Sequence, residues 1–188
     1  MTSVLTTPPA AEPISLPEAK AHLRVAHGDE DPLISQLIGS ARRVVEARTG
    51  LAMMPQQWTI LRDSWPEDGV IPLPVAPLLA VDDLKIHGED GIAAIIDPAH
   101  YYADLASRPP RLMLRGSRDW PPPGRLGNGI AIEVTAGFGT SASAVPEPLR
   151  QAILILTAHW YEHRGNAEPP PVPLTLDALL APYREVRL

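Results

Sequence analysis

The sequence predicts an α+β protein: a small helical bundle, three main helices plus a short C-terminal one, with an inserted β-sheet subdomain. Three observations predict it. Residues 33–45 carry apolar side chains at helical spacing, residues 54–139 change to short alternating runs broken by Pro and Gly, and helical spacing returns after Pro146. At ~150 residues per domain, a chain of 188 residues suits one domain with a sizeable insertion. Apolar residues at 45% and charged residues at 20% are enough to build a core without staples, and the absence of Cys excludes disulfides, thiolate metal sites and a cysteine nucleophile.

The elements follow in chain order. Residues 1–14 have neither a basic cluster nor a long apolar stretch and read as a flexible N-terminal arm, not a targeting segment. Ser15-Leu-Pro-Glu18 has the form of a capping box and opens a helix over residues 16–25. Asp31-Pro32 restarts the chain as a helix, with Asp31 as N-cap; Leu33, Ile34, Leu37, Ile38, Ala41, Val44 and Val45 form its core face, and Gly50 stops it. These residues and the third helix make up a helical core, 15–54 and 140–166.

Residues 55–139 form the inserted β subdomain. Strands are expected at 57–62, 81–87, 92–96, 101–105, 111–115 and 130–135, with turns at Gly88–Gly91 and Asn128-Gly129. Pro146 opens the third helix, whose Ala152-Ile-Leu-Ile-Leu156 centre is apolar nearly all round and so must be covered on most sides. Residues 167–188 are a Pro-rich C-terminal tail: a stiff spacer, then an amphipathic turn or two from Thr175 to Ala181. No stretch approaches the ~20 apolar residues that cross a bilayer, so no membrane partner is expected.

Few patterns point to chemistry. His159-Trp-Tyr-Glu-His163 matches the inverted zinc-peptidase string, which would make His159 and His163 ligands and Glu162 the general base of a zinc-dependent hydrolase. Six His give about 0.2 such pairs by chance, which makes the match alone weak, and no third ligand follows on a helix, so neither metal nor other cofactor is expected. Gly137-Phe-Gly-Thr-Ser141 lacks the Lys of a phosphate loop and reads as an exit from the sheet. The acidic pairs Asp82-Asp83 and Glu89-Asp90 read as solvated edges, and Trp65 and Trp120 as packing anchors. A net charge of −6, with Lys+Arg 7 against Asp+Glu 11 in residues 55–139, argues against a surface built to neutralise nucleic-acid phosphates.

The tail is the segment least like part of an ordinary monomer. Leu176, Leu179, Leu180 and Tyr183 fall at i, i+3, i+4 and i+7, the spacing of an anchor laid in a groove. Leu174, Arg184, Arg187 and Leu188 flank them. Such a segment either docks on its own chain or stays mobile until a partner orders it.

A series of segments carries a likeness. Ser15-Leu-Pro-Glu-Ala-Lys-Ala-His-Leu-Arg-Val25, the acidic run before Leu33-Ile34, Val45-Glu-x-Arg-Thr-Gly50 and Gln57-Trp58 resemble the head-tail connector, or adaptor, proteins of tailed bacteriophages. Leu73-Pro-x-x-Pro-Leu78, Tyr101-Tyr102, Ala136-Gly-Phe-Gly139, Val145-Pro-x-x-Leu-x-Gln-Ala-Ile153 and Pro182-Tyr-Arg-x-x-Arg187 continue it. The likeness extends to the adaptors of gene transfer agents, phage-like particles made by some bacteria. It implies a structural, non-enzymatic subunit of a homo-oligomeric ring, expected to be a dodecamer, in a virion or gene transfer agent particle assembled in the bacterial cytoplasm. The ring would sit between the portal protein and the stopper or tail proteins, and DNA would pass through it without specific binding. It also implies that the inserted β subdomain and the tail contact neighbouring rings, without identifying contact residues; the tail's own spacing makes Leu174, Leu176, Leu179, Leu180, Tyr183, Arg184, Arg187 and Leu188 the candidates for binding the portal or another partner. A stopper or tail-terminator component of the same particle is the neighbouring alternative.

Overall fold

The computed structural model describes residues 1–116, 119–166 and 171–184. The chain folds as two compact units, one of residues 1–10 and 55–138, the other of residues 11–54 and 139–188.

The first unit is built on an antiparallel sheet. Its strands are β1 (Thr2–Thr7), β2 (Gln56–Arg62), β4 (Leu78–His87), β5 (Ala93–Ile95) and β8 (Ile130–Ala136), in spatial order β1-β2-β8-β4-β5. A second sheet holds β3 (Ile71–Pro72), β6 (Tyr101–Asp104) and β7 (Arg111–Leu114), in order β3-β7-β6. Alternation decides which face is buried: Ile60, Ile132 and Leu84 lie opposite one another on adjacent strands and are fully buried, while Thr59 and Glu133 fall on the other face. Ile71 and Leu112, paired across β3 and β7, are also fully buried and bring the small sheet into the core.

Part of the segment read as a flexible arm is paired in the sheet. Thr2–Thr7 is the edge strand β1, with Val4 opposite Thr59 and Leu5 opposite Trp58, because Thr, Val and Thr suit an extended ladder as soon as a partner strand is available. The loop from Trp120 to Gly129 is pinned at several points. Trp65 and Trp120 stack with ring centroids 4.6 Å apart, and Trp65 donates to the Pro121 carbonyl at 2.7 Å. Gly124 donates to the His87 carbonyl, and a side chain on it would strike Gly88 and Glu89 backbone at 2.6–2.8 Å, so only glycine permits this approach.

The second unit contains α1 (Leu16–Leu23), α2 (Asp31–Thr49), α3 (Glu147–Glu162) and α4 (Leu174–Leu180). Ser15 Oγ accepts from the Glu18 amide at 3.3 Å, as its position predicts, but Glu18 does not close the box. Its carboxylate instead takes the Arg150 guanidinium at 2.5 Å, a charge-assisted contact stronger than a neutral cap. Asp31 is the first residue of α2 rather than its cap, since its carboxylate pairs with Lys20 at 2.5 Å. Gly50 ends α2 at φ 72°, a left-handed position that a side chain would strain.

Ile34, Ile38, Ala41 and Val45 of α2 and Leu149, Ile153 and Leu156 of α3 are buried, each large one contributing about 1.5–3 kcal/mol. One charge is buried with them. Arg42 is 5% exposed, with Nε 2.7 Å from Glu12 and Nη1 2.6 Å from Glu46. Burial works against its cation, and the two carboxylates more than offset that, so its pKa is raised. Where α2 begins and α3 ends, Glu30 accepts from the Tyr161 hydroxyl and from Arg164 at 2.7 Å. The Tyr161 bond holds the Glu30 carboxyl below its usual value against partial desolvation, with Arg164 and His27 assisting.

Candidate functional site

The tail residues divide into two groups. α4 packs on α3 and α2, and its Leu176 and Leu180, four apart on one face, are fully buried within the helical unit. Leu179 and Tyr183 are half-buried, and Leu174, at 86% exposure, stands clear. Asp177 fastens the outer side, with Arg48 at 3.4 Å and Arg184 at 2.6 Å. Leu174–Tyr183 form α4 and a following 3-10 turn packed on their own chain. Two leucines offered to solvent on one face bury more area against a neighbouring helix than they retain exposed. Arg187 and Leu188 lie outside the described residues.

The histidine string does not assemble a centre. His159 is buried on α3, and His163 Nδ1 lies 2.7 Å from the His159 carbonyl, a contact in which the ring nitrogen must donate. Glu162 is exposed. Among the described residues no group of three or more His, Asp or Glu side chains stands close enough to hold a metal ion. The hollow on the exposed face of the large sheet, about 230 Å³, is lined by hydroxyls (Thr6, Thr7, Thr59), carboxylates (Asp82, Glu133), the Gln57 amide and the Trp58 indole, with no histidine among them. No helix among the described residues is long and apolar enough to cross a membrane.

Exposed apolar side chains are concentrated elsewhere. Met1, Val4 and Leu5 project from the β1 edge, Ile92 and Ile95 from the β5 edge, and Leu126 from the tip of the pinned loop. Sequence reading missed all of these as contact candidates. The signal was present for two of them: β1 is an extended run with no charge, and Leu126 is a lone leucine in a loop of Gly, Pro and Asn.

Buried anchors, pinned loops and exposed apolar edges are what the described residues present. Residues 13–104 match the family "Phage gp6-like head-tail connector protein", to which this stretch of the chain is similar. Solved structures extend the likeness to the full length. A chain from "Virion of native gene transfer agent (GTA) particle" is 27% identical with a TM-score of 0.87, over 100% of this chain and 97% of that one. A chain from "Neck of empty GTA particle computed with C6 symmetry" is 28% identical with a TM-score of 0.85, and one from "Neck of native GTA particle computed with C12 symmetry" is 27% identical with a TM-score of 0.83; coverage is again 100% and 97%. No curated protein matches the chain.

Proposed function

We propose that the chain is a ring subunit of the neck of a phage-like particle, seated between the portal and the stopper or tail proteins, with the packaged DNA passing through the ring. The supporting observation is the full-length similarity to chains of gene transfer agent particles, two of them from necks solved with C6 and C12 symmetry. The sequence adds a second support: an acidic chain with no constellation built for catalysis suits a conduit that must not retain its cargo.

In this reading the tail is the partner-binding segment, and its residues have separate duties. Leu176 and Leu180 hold α4 on the subunit, which leaves Leu174, Tyr183 and Arg184, with Arg187 and Leu188 beyond, to face the portal. Docking α4 in advance lowers the ordering cost that a free tail would incur on binding.

Deleting the chain from the producing cell tests the proposal. The expected result is DNA-filled heads and separate tails that fail to join, seen by electron microscopy and restored by supplying the chain in trans. Normal yields of joined particles would overturn the connector role.

A further inference from the structure

The large sheet ends in two edges that lack ordinary protection. At one end, β1 carries no charged residue and no proline over Thr2–Thr7, and Val4 and Leu5 are 45% and 39% exposed. Sheets in soluble proteins usually guard such an edge with lysine, proline or a covering segment. At the other end, β5 covers only part of β4. It pairs with Lys85, Ile86 and His87, and the Ile96 amide reaches the Leu84 carbonyl. Among the described residues no backbone hydrogen bond reaches Leu79–Asp83 from the side away from β8.

The registers show that these two edges complement each other. Followed across the sheet, Val4 lies level with Thr59, Glu133 and Asp83, Leu5 with Trp58, Val134 and Val81, and Thr7 with Gln57, Thr135 and Ala80. Val4–Thr7 thus span levels that β5 leaves vacant on β4, whereas Thr2 and Ser3 fall level with Lys85 and Leu84, which Ile95 and Ile96 already meet, and must turn aside. Every neighbouring pair in this sheet is antiparallel, so β1 runs opposite to β4 and in the direction of β5. A second copy at the same level presents its β1 to β4 in antiparallel orientation, as a continuation of β5.

We propose that the sheet continues from copy to copy, with β1 of one subunit pairing along Leu79–Asp83 of the next. The proposal rests on the ring reading above and names its subunit contact. Charge favours this partner: Asp82 and Asp83 would repel a second β4, whereas β1 is uncharged and sets Val4 opposite Asp83. Apolar packing agrees, because Leu5 of the added strand extends the row Trp58, Val134, Val81 on the core face. The edges are different surfaces, so the contact is head-to-tail and closes into a ring when the rotation permits. Bulges in β4 between Leu78 and Ala80 and between Val81 and Asp83 bend this half of the strand, the curvature a closed circle of sheets needs.

The chain has no cysteine, so paired substitutions report cleanly. Within one subunit Thr7 and Ala80 are separated by β2 and β8, about 14 Å at the usual strand spacing, beyond disulfide reach. A disulfide in the Thr7→Cys, Ala80→Cys double variant must therefore join two copies. Oxidation of the concentrated variant is expected to give a reducible ladder of linked chains on a denaturing gel, while each single variant stops at dimers. Val4→Lys is expected to raise the concentration needed for assembly by about tenfold or more, with the monomer's circular dichroism and Tm unchanged. Rings seen by electron microscopy without a ladder, or undiminished assembly of Val4→Lys, would overturn the strand pairing and leave the connector reading intact. A concentrated protein showing neither rings nor a ladder would overturn the pairing and the ring together.

Discussion

Leu174 and Leu176 are two residues apart on α4, yet one is 86% exposed and the other fully buried, so replacing each by Ala separates the tail's internal anchor from its outward surface. Removing a fully buried leucine side chain costs about 2–5 kcal/mol. α4 has only seven residues and a helix that short is marginal alone, so it opens as a local unit when an anchor is lost. The global loss in a urea melt of Leu176→Ala is therefore capped at the energy that docks α4, while its amide protection falls in full. At the lower limit of about 2 kcal/mol, hydrogen exchange across α4 should accelerate about 30-fold, with the centre of α3 nearly unchanged. Leu174→Ala should leave both stability and exchange within about 0.5 kcal/mol of wild type and lower particle assembly instead. Equal exchange in the two variants, or faster exchange spread evenly over the helical unit, would refute the division of duties.

Three other outcomes are expected. Arg42→Met leaves Glu12 and Glu46 without their cation; Glu46 is well buried and Glu12 is a third exposed, so a urea melt should show a loss of about 3 kcal/mol, near the low end for a broken buried pair. Glu30 is held below its ordinary pKa in the fold, so its contribution is present above pH ~4.5 and is lost as pH falls through the lowered value; Glu30→Gln should flatten the fall of Tm in acid, and an unchanged acid limb would count against the Tyr161 contact. Anisotropy titration with nonspecific duplex DNA at physiological salt should show no micromolar binding, and salt-sensitive binding in that range would mean that arginines line the channel.

The larger elements were legible because each carries its own local signal. The 3.6-residue stripe of α2 and Gly50 at its end locate that helix within a residue, and six strands follow from alternation between Gly and Pro. β1 and β3 were not legible. Thr2–Thr7 becomes a strand only because β2 lies beside it, and Ile71–Pro72 only because β7 does, and neither pairing leaves a trace in nearby sequence. The caps fail for a related reason: Glu18 and Asp31 have the residue types that cap helices, but distant Arg150 and Lys20 outcompete the local amide. The tail spacing identified α4 correctly. Its i, i+4 leucines describe equally well a helix seated on its own chain and one awaiting a partner, and only tertiary packing distinguishes them.

The same competition bears on how the chain treats DNA. Sequence counting gives seven Lys and Arg against eleven Asp and Glu in residues 55–139, and several of the arginines are engaged within the fold. Arg111 pairs with Asp104 at 3.1 Å, Arg115 donates to the Tyr101 carbonyl at 2.8 Å, and Arg125 donates twice to the Asn128 carbonyl. In the helical unit, Arg42, Arg48, Arg150, Arg164 and Arg184 each face a carboxylate. A guanidinium already paired must give up that bond to neutralise a phosphate, so it releases little net counterion free energy on meeting DNA. Internal pairing thus weakens the grip on nucleic acid more than the net charge of −6 alone implies. In the strand pairing proposed above, the subunit contact rests instead on groups that salt screens little: the outer strand backbone of β1 and of Leu79–Asp83 in β4, to which no backbone bond runs among the described residues, and the apolar side chains beside it.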